Sequence, residues 1–168
     1  MHLRSLHLPW SNQLEGLPER LCNLLNLEYL DLMGCQNLKQ LPDSIGKLIN
    51  MRFLYTNGCH ALIHYPQGVR ILTSFRQLKG LIARADRNEA KEWSLVDLEN
   101  LKHLLVLHFK VVGNSIDMAQ ARKVHLQNIP KIWIFLAGNI QKADINEALD
   151  PHKTILDLKF VDDYWMGF

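Results

Sequence analysis

Leucines at positions 27, 30, 32, 38 and 41, with Cys35 among them, recur at a fixed interval of twenty-four residues along the first half of the chain. One step forward they fall on Met51, Leu54, Thr56, Cys59, Leu62 and Tyr65. One step back they fall on Leu3, Leu6, Leu8, Ser11, Leu14 and Leu17, and a second forward step gives Phe75, Leu78 and Gly80. The return segments "LPERLCNLLNL" (17–27), "LPDSIGKLINM" (41–51) and "YPQGVRILTSF" (65–75) superpose with Pro18, Pro42 and Pro66 in register. Within a unit the leucines are spaced three, two, six and three apart, which suits neither a half-buried strand nor an amphipathic helix. A fixed period in the twenties requires successive copies to stack, because no copy can cover its own apolar side chains.

The pattern L-x-x-L-x-L-x-x-C-x-x-L is the signature of a leucine-rich repeat. In the L-x-L segment, Leu30 and Leu32 face inward from a short strand and the residues between face outward. Cys35 lies where the chain leaves the strand, and a buried thiol there can donate to backbone. The prolines suit a tight turn or a first helical position. Stacked coils share one core, with strands about 4.8 Å apart. The expected fold is therefore an α/β leucine-rich-repeat solenoid. It is a curved horseshoe with a parallel sheet on the concave face and short helices or loops on the convex face.

The whole chain, 1–168, reads as a single domain of three parts: regular repeats over 1–81, a charged insertion over 82–93, and longer irregular repeats over 94–168. In the last part Leu98, Leu101 and Leu104 precede a strand at 107–111. A helix at 117–128, with Asp117 as its N-cap, leads to a strand at 131–136. A helix at 144–149, ended by Pro151, leads to a strand at 156–161. Six or seven strands in one sheet are expected. Thr56, Gly80 and Tyr65 replace leucines, which predicts looser packing or a bend in the third and fourth units. The abrupt start on a repeat strand suggests a fragment of a larger protein, a truncated product or a partner-dependent domain.

At these residues the sequence resembles the leucine-rich-repeat region of plant nucleotide-binding leucine-rich-repeat (NLR) disease-resistance proteins, nearest the coiled-coil class. The carrying motifs are "LPERLCNLLNLEYLDLMGCQNLKQLPDSIGKLINMRFL", "GVRILTSFRQL", "LENLKHL", "AQARKVHLQN" and "ALDPHKTILDLKF", and the likeness covers nearly the whole chain. The resemblance implies a protein–protein interaction domain in plant defence signalling. Its implied partners are a pathogen effector, a guarded host protein, or the nucleotide-binding domain of the same receptor, which it would restrain. No G-x-x-x-x-G-K-[S/T] motif is present, the sole Gly-Lys at 46–47 being followed by Leu48. ADP or ATP would act only through a nucleotide-binding domain that this chain lacks, so no cofactor is expected.

The contact surface expected by register is the outward strand positions: Ser5, His7 and Pro9; Tyr29, Asp31 and Met33; Phe53, Tyr55 and Asn57; Gln77, Lys79 and Leu81. His108 and Lys110, then Lys131, Trp133 and Phe135, then Asp157, Lys159 and Val161, continue it. Exposed aromatics in such a row mark interfaces. Register slippage or packing of these rings on a flanking domain is the competing explanation. The eight histidines and the "CHALIH" segment invite a metal reading, but Cys59 would point inward and His60 and His64 straddle a turn, so no metal site is expected. "RADRNEAKE" (84–92) reads as a solvated loop.

The chain is expected not to be an enzyme, since no nucleophile, base and acid fall in a known pattern. A formal net charge of +2 lacks the basic excess of a nucleic-acid binder. The longest apolar run, 132–138, is far below the roughly 20 residues of a membrane span. Three cysteines, no secretory leader and no Asn-x-Ser/Thr site point to a cytoplasmic setting. The alternative function is a stand-alone intracellular leucine-rich-repeat signalling scaffold, which the irregular second half disfavours. The extracellular repeat of a receptor kinase ranks lower, because the arm reads Leu-Pro with Cys rather than Ile-Pro with Asn.

Overall fold

A computed structural model describes residues 2–84, 95–112, 129–137 and 157–162. Seven strands form one sheet in chain order: β1 (Ser5–His7), β2 (Tyr29–Asp31), β3 (Phe53–Tyr55), β4 (Gln77–Arg84), β5 (Val106–Val112), β6 (Lys131–Ala137) and β7 (Asp157–Asp162). Every neighbouring pair is parallel. Leu6, Leu30, Leu54, Leu78, Leu107, Ile132 and Leu158 align in one row across all seven. Leu30, Leu78, Leu107 and Ile132 in that row are fully buried. This is the leucine-rich-repeat solenoid that the spacing requires. The helices expected at 117–128 and 144–149, Asp117 and Pro151 lie outside the described residues.

The return segments are 3-10 helices at Glu19–Asn23, Asp43–Lys47 and Gln67–Ile71, with a fourth at Leu95–Asn100. Pro18, Pro42 and Pro66 stand immediately before the first three, with φ between −59° and −68° and extended ψ. At that place the missing N–H removes no helical bond. Glu19 ties two coils together by accepting from the backbone N–H groups of Asp43 and Ser44, and from the Ser44 hydroxyl. Leu98, Leu101 and Leu104 are buried as expected.

The thiols behave as the repeat predicts. Cys35 donates through Sγ to the Leu8 carbonyl and Cys59 to the Leu32 carbonyl, each at 3.0 Å, and both are buried and free. Burial pushes the Cys59 thiol up to about 12 and raises Cys35 and Cys22 in the same direction.

The substituted coils depart from expectation. Thr56 and Tyr65 are 3% exposed, so the core is closed there rather than loosened. The two hydroxyls lie 2.6 Å apart; Thr56 reaches the Lys79 carbonyl and Tyr65 the Gly80 carbonyl. Gly80 does not take a leucine's place in the core. It forms a bulge, with φ +92° and a break in the β4–β5 register between Lys79 and Leu81. A Cβ at Gly80 would stand 2.4 Å from the Asn57 nitrogen and from the Thr56 carbonyl carbon. The bulge reverses the alternation beyond it. Leu81, expected to face outward, is therefore 1% exposed and aligns with Phe109 and Ile134 in the core. β4 also continues to Arg84, which takes 82–84 into the sheet rather than into the insertion expected to begin there. Residues 85–94 lie outside the described residues.

Candidate interaction surface

On the concave wall the residues between the buried leucines stack across coils in two rows. Ser5, Tyr29, Phe53, Gln77, Val106, Lys131 and Asp157 make the first, and His7, Asp31, Tyr55, Lys79, His108, Trp133 and Lys159 the second. Cross-strand neighbours of this kind are close enough for direct side-chain contact. His7 stacks on Tyr29 with centroids 4.6 Å apart. Tyr29 meets Phe53 at 5.7 Å and Tyr55 edge-on at 5.2 Å. The Lys79 ammonium sits 4.3 Å over the Tyr55 ring, and the Tyr55 hydroxyl donates to Gln77 Oε1 at 2.7 Å. Further along, His108 and Trp133 lie parallel at 4.4 Å. The structure thus brings His7, Tyr29, Phe53, Tyr55, Gln77 and Lys79 into one continuous strip, with a second aromatic pair beyond it.

Four expected positions are less open than register implied; one, His108, is 9% exposed with the Trp133 ring stacked on it. Asp31 is 9% exposed; it faces the wall, but its neighbours cover it. Its Oδ1 accepts from the Met33 N–H at 3.0 Å, and Oδ2 lies 3.7 Å from His7 Nδ1. Asn57 is half-buried, and its covered Oδ1 has no hydrogen-bond partner among the described residues. Met33 is half-buried at the strand's exit. Lys131 is exposed and Trp133 half-buried. Phe135, Asp157, Lys159 and Val161 hold outward register positions by the alternation of β6 and β7; their side chains lie outside the described residues.

Burial sets the electrostatics of the strip. It pushes the Tyr55 phenol up to about 12, with nearby Tyr29 and Asp31 acting in the same sense. It raises Tyr29 and lowers the Lys79 ammonium. Both shifts favour the neutral form, as desolvation requires. A feature not read from the sequence is the charged lip one residue before each of the first four strands. Arg4, Glu28, Arg52 and Arg76 recur there at twenty-four-residue spacing, so the repeat register already held the signal. Glu28 lies 3.2 Å from Arg4 and 3.7 Å from Arg52.

No group of three or more metal-ligating side chains occurs among the described residues, and His60 and His64 are exposed. No described helix is long and apolar enough to cross a membrane. The wall offers flat aromatic area, hydrogen-bonding edges and cations, which suit a protein surface better than a small ligand.

A family model described as a leucine-rich repeat region matches residues 1–165. The chain belongs to the leucine-rich-repeat family. Domains of this family are non-enzymatic scaffolds that bind proteins. Among solved structures, the chain is similar to a leucine-rich-repeat protein of Leptospira interrogans, at 17% identity and a TM-score of 0.44. The likeness covers 88% of this chain and 45% of that one, so the chain spans less than half that protein's length. No curated protein matches the chain.

Proposed function

We propose that the concave wall of this leucine-rich-repeat chain recognises a protein in plant immune signalling. Its partner would be a pathogen effector, a guarded host protein or a nucleotide-binding module that it restrains. The observation that carries the protein-binding part is the unbroken strip from His7 to Lys79, in which four aromatic rings touch across three coils. Rings held by neighbours lose little freedom on binding, and aromatic side chains supply most hot-spot energy at interfaces. The immune assignment draws on the resemblance of the repeat motifs. The reading needs no cofactor on this chain, and a cytoplasmic setting accords with the thiol form of Cys35 and Cys59.

The test is association of the chain with a separately expressed nucleotide-binding module from a coiled-coil-class plant receptor, measured by co-precipitation and calorimetry. Association is expected, together with reduced cell death when both are expressed in leaf tissue. Tyr55→Ala is expected to weaken it at least about tenfold, as loss of a 1.4 kcal/mol contact would. Association unaffected by Tyr55→Ala and Trp133→Ala would remove the wall from the interaction. No association and no effect on cell death would remove the restraining role.

A further inference from the structure

We infer that the concave wall takes an acidic protein segment laid across the strands, its carboxylates over Arg76, Lys79 and Lys131 and an apolar side chain against Tyr29, Phe53 and Tyr55. This rests on the reading of the wall as a protein-binding face and adds the chemistry of what it binds.

The charge of the molecule is concentrated there. Six basic residues, Arg4, Arg52, Arg76, Lys79, Lys110 and Lys131, stand on the wall or its lip, against two acids among the described side chains, Glu28 and Asp31. That excess of four compares with a formal excess of two for the whole chain. The continuing positions Asp157 and Lys159 add one charge of each sign. Both acids are already engaged, Glu28 by Arg4 and Arg52, and Asp31 by the Met33 N–H and His7. Arg76 and Lys131 form no ion pair among the described residues. Lys79 has the Tyr55 ring as its partner, and its ammonium is already partly dehydrated. A carboxylate arriving beside Lys79 thus meets a cation that has already lost part of its water, which lowers the cost of pairing with it.

The geometry selects a direction as well as a sign. Gln77, next to Arg76, aligns with Val106 and then Lys131, so Arg76 and Lys131 are separated by two strand spacings, about 10 Å. Lys79 lies two residues further up the first of those strands, level with Trp133. Cations stepping along the solenoid axis match a chain that crosses the strands. The aromatic cluster lies on the preceding coils, in line with that path.

The experiment uses the full chain and fluorescence anisotropy with a short labelled peptide of alternating Glu and Ser around one Trp. The same peptide with Lys for Glu serves as comparison. The acidic peptide is expected to bind, and more weakly as salt rises through about 0.15 M. The Arg76→Gln/Lys131→Gln and Arg76→Glu/Lys131→Glu variants are expected to weaken it, the latter at least about tenfold. Reversal on the convex side, Arg20→Glu/Arg70→Glu, is expected to leave it unchanged, and circular dichroism monitors folding of each variant. Equal binding of the basic peptide, or equal loss from the convex reversal, overturns the proposal. So does displacement by an equimolar single-stranded oligonucleotide, which would assign the cations to nucleic acid. If Tyr55→Ala abolishes association with the nucleotide-binding module while wall-charge reversal leaves peptide binding intact, the interface stands and the acidic chemistry falls.

Discussion

At the residue scale the decisive group is Thr56, Tyr65 and Gly80. Two core leucines are replaced by hydroxyl-bearing side chains, and the bulge supplies the reason. With φ at +92°, the Gly80 carbonyl reaches the Tyr65 hydroxyl, while Thr56 serves the Lys79 carbonyl. A buried acceptor without a donor costs about 1–3 kcal/mol. Tyr65→Phe is therefore expected to destabilise the fold by about that amount, read as a lower urea midpoint with unchanged slope. Gly80→Ala is expected to be worse than Tyr65→Phe. A Cβ would collide with backbone of the neighbouring coil, and backbone cannot swing aside as a side-chain tip does. Equal midpoints for Gly80→Ala and the parent would contradict the bulge. The sequence showed these positions as breaks in the pattern, but not that the breaks compensate one another. Period counting scores each position alone, whereas a hydrogen bond joins residues from three different segments.

At the element scale the short strands follow directly from the repeat. Leu30 was legible as a core residue because its spacing recurs, and it is fully buried. Leu30→Asp is expected to abolish the folded circular dichroism spectrum, since an unpaired buried carboxylate costs several kcal/mol. Glu28→Gln, which weakens the pairs of half-buried Glu28 to exposed Arg4 and Arg52, is expected to shift stability by less than about 1 kcal/mol. A larger loss would mean the charged lip is structural. Where the bulge intervenes, the extrapolated alternation fails. Leu81 is interior because one extra residue is inserted before it, and no twenty-four-residue template includes that residue. The covering of Asp31 was equally hidden. Register gives the direction in which a side chain leaves the sheet, not how closely its neighbours crowd over it.

At the scale of the whole molecule, one core runs through every described coil, and burial in it and along the wall holds acidic protons. Cys59 and Tyr55 are pushed up to about 12, and Cys22, Cys35, Tyr29 and Tyr65 move the same way. The unfolded chain releases these protons from about pH 8.5 for thiols and about pH 10 for phenols, while the folded chain retains them. The unfolded state therefore binds fewer protons over that range, and stability declines as pH rises from about 8.5 toward 12. A urea midpoint that falls steadily on the alkaline side, with thiols that react with an aromatic disulfide reagent only after unfolding, is the expected outcome. A flat alkaline profile would show that the thiols and phenols are open to solvent.

The gauge of the structure also changes at the coil that carries the inserted glycine. Before it, each strand is three residues long, a ledge roughly 10 Å tall; after it, β5 and β6 have seven, roughly 23 Å. A visiting chain would meet a low threshold of rings at one end and a tall bank at the other. Substitutions on the upper storey, such as at Lys110, would then alter the choice of visitor without disturbing the threshold that first receives it.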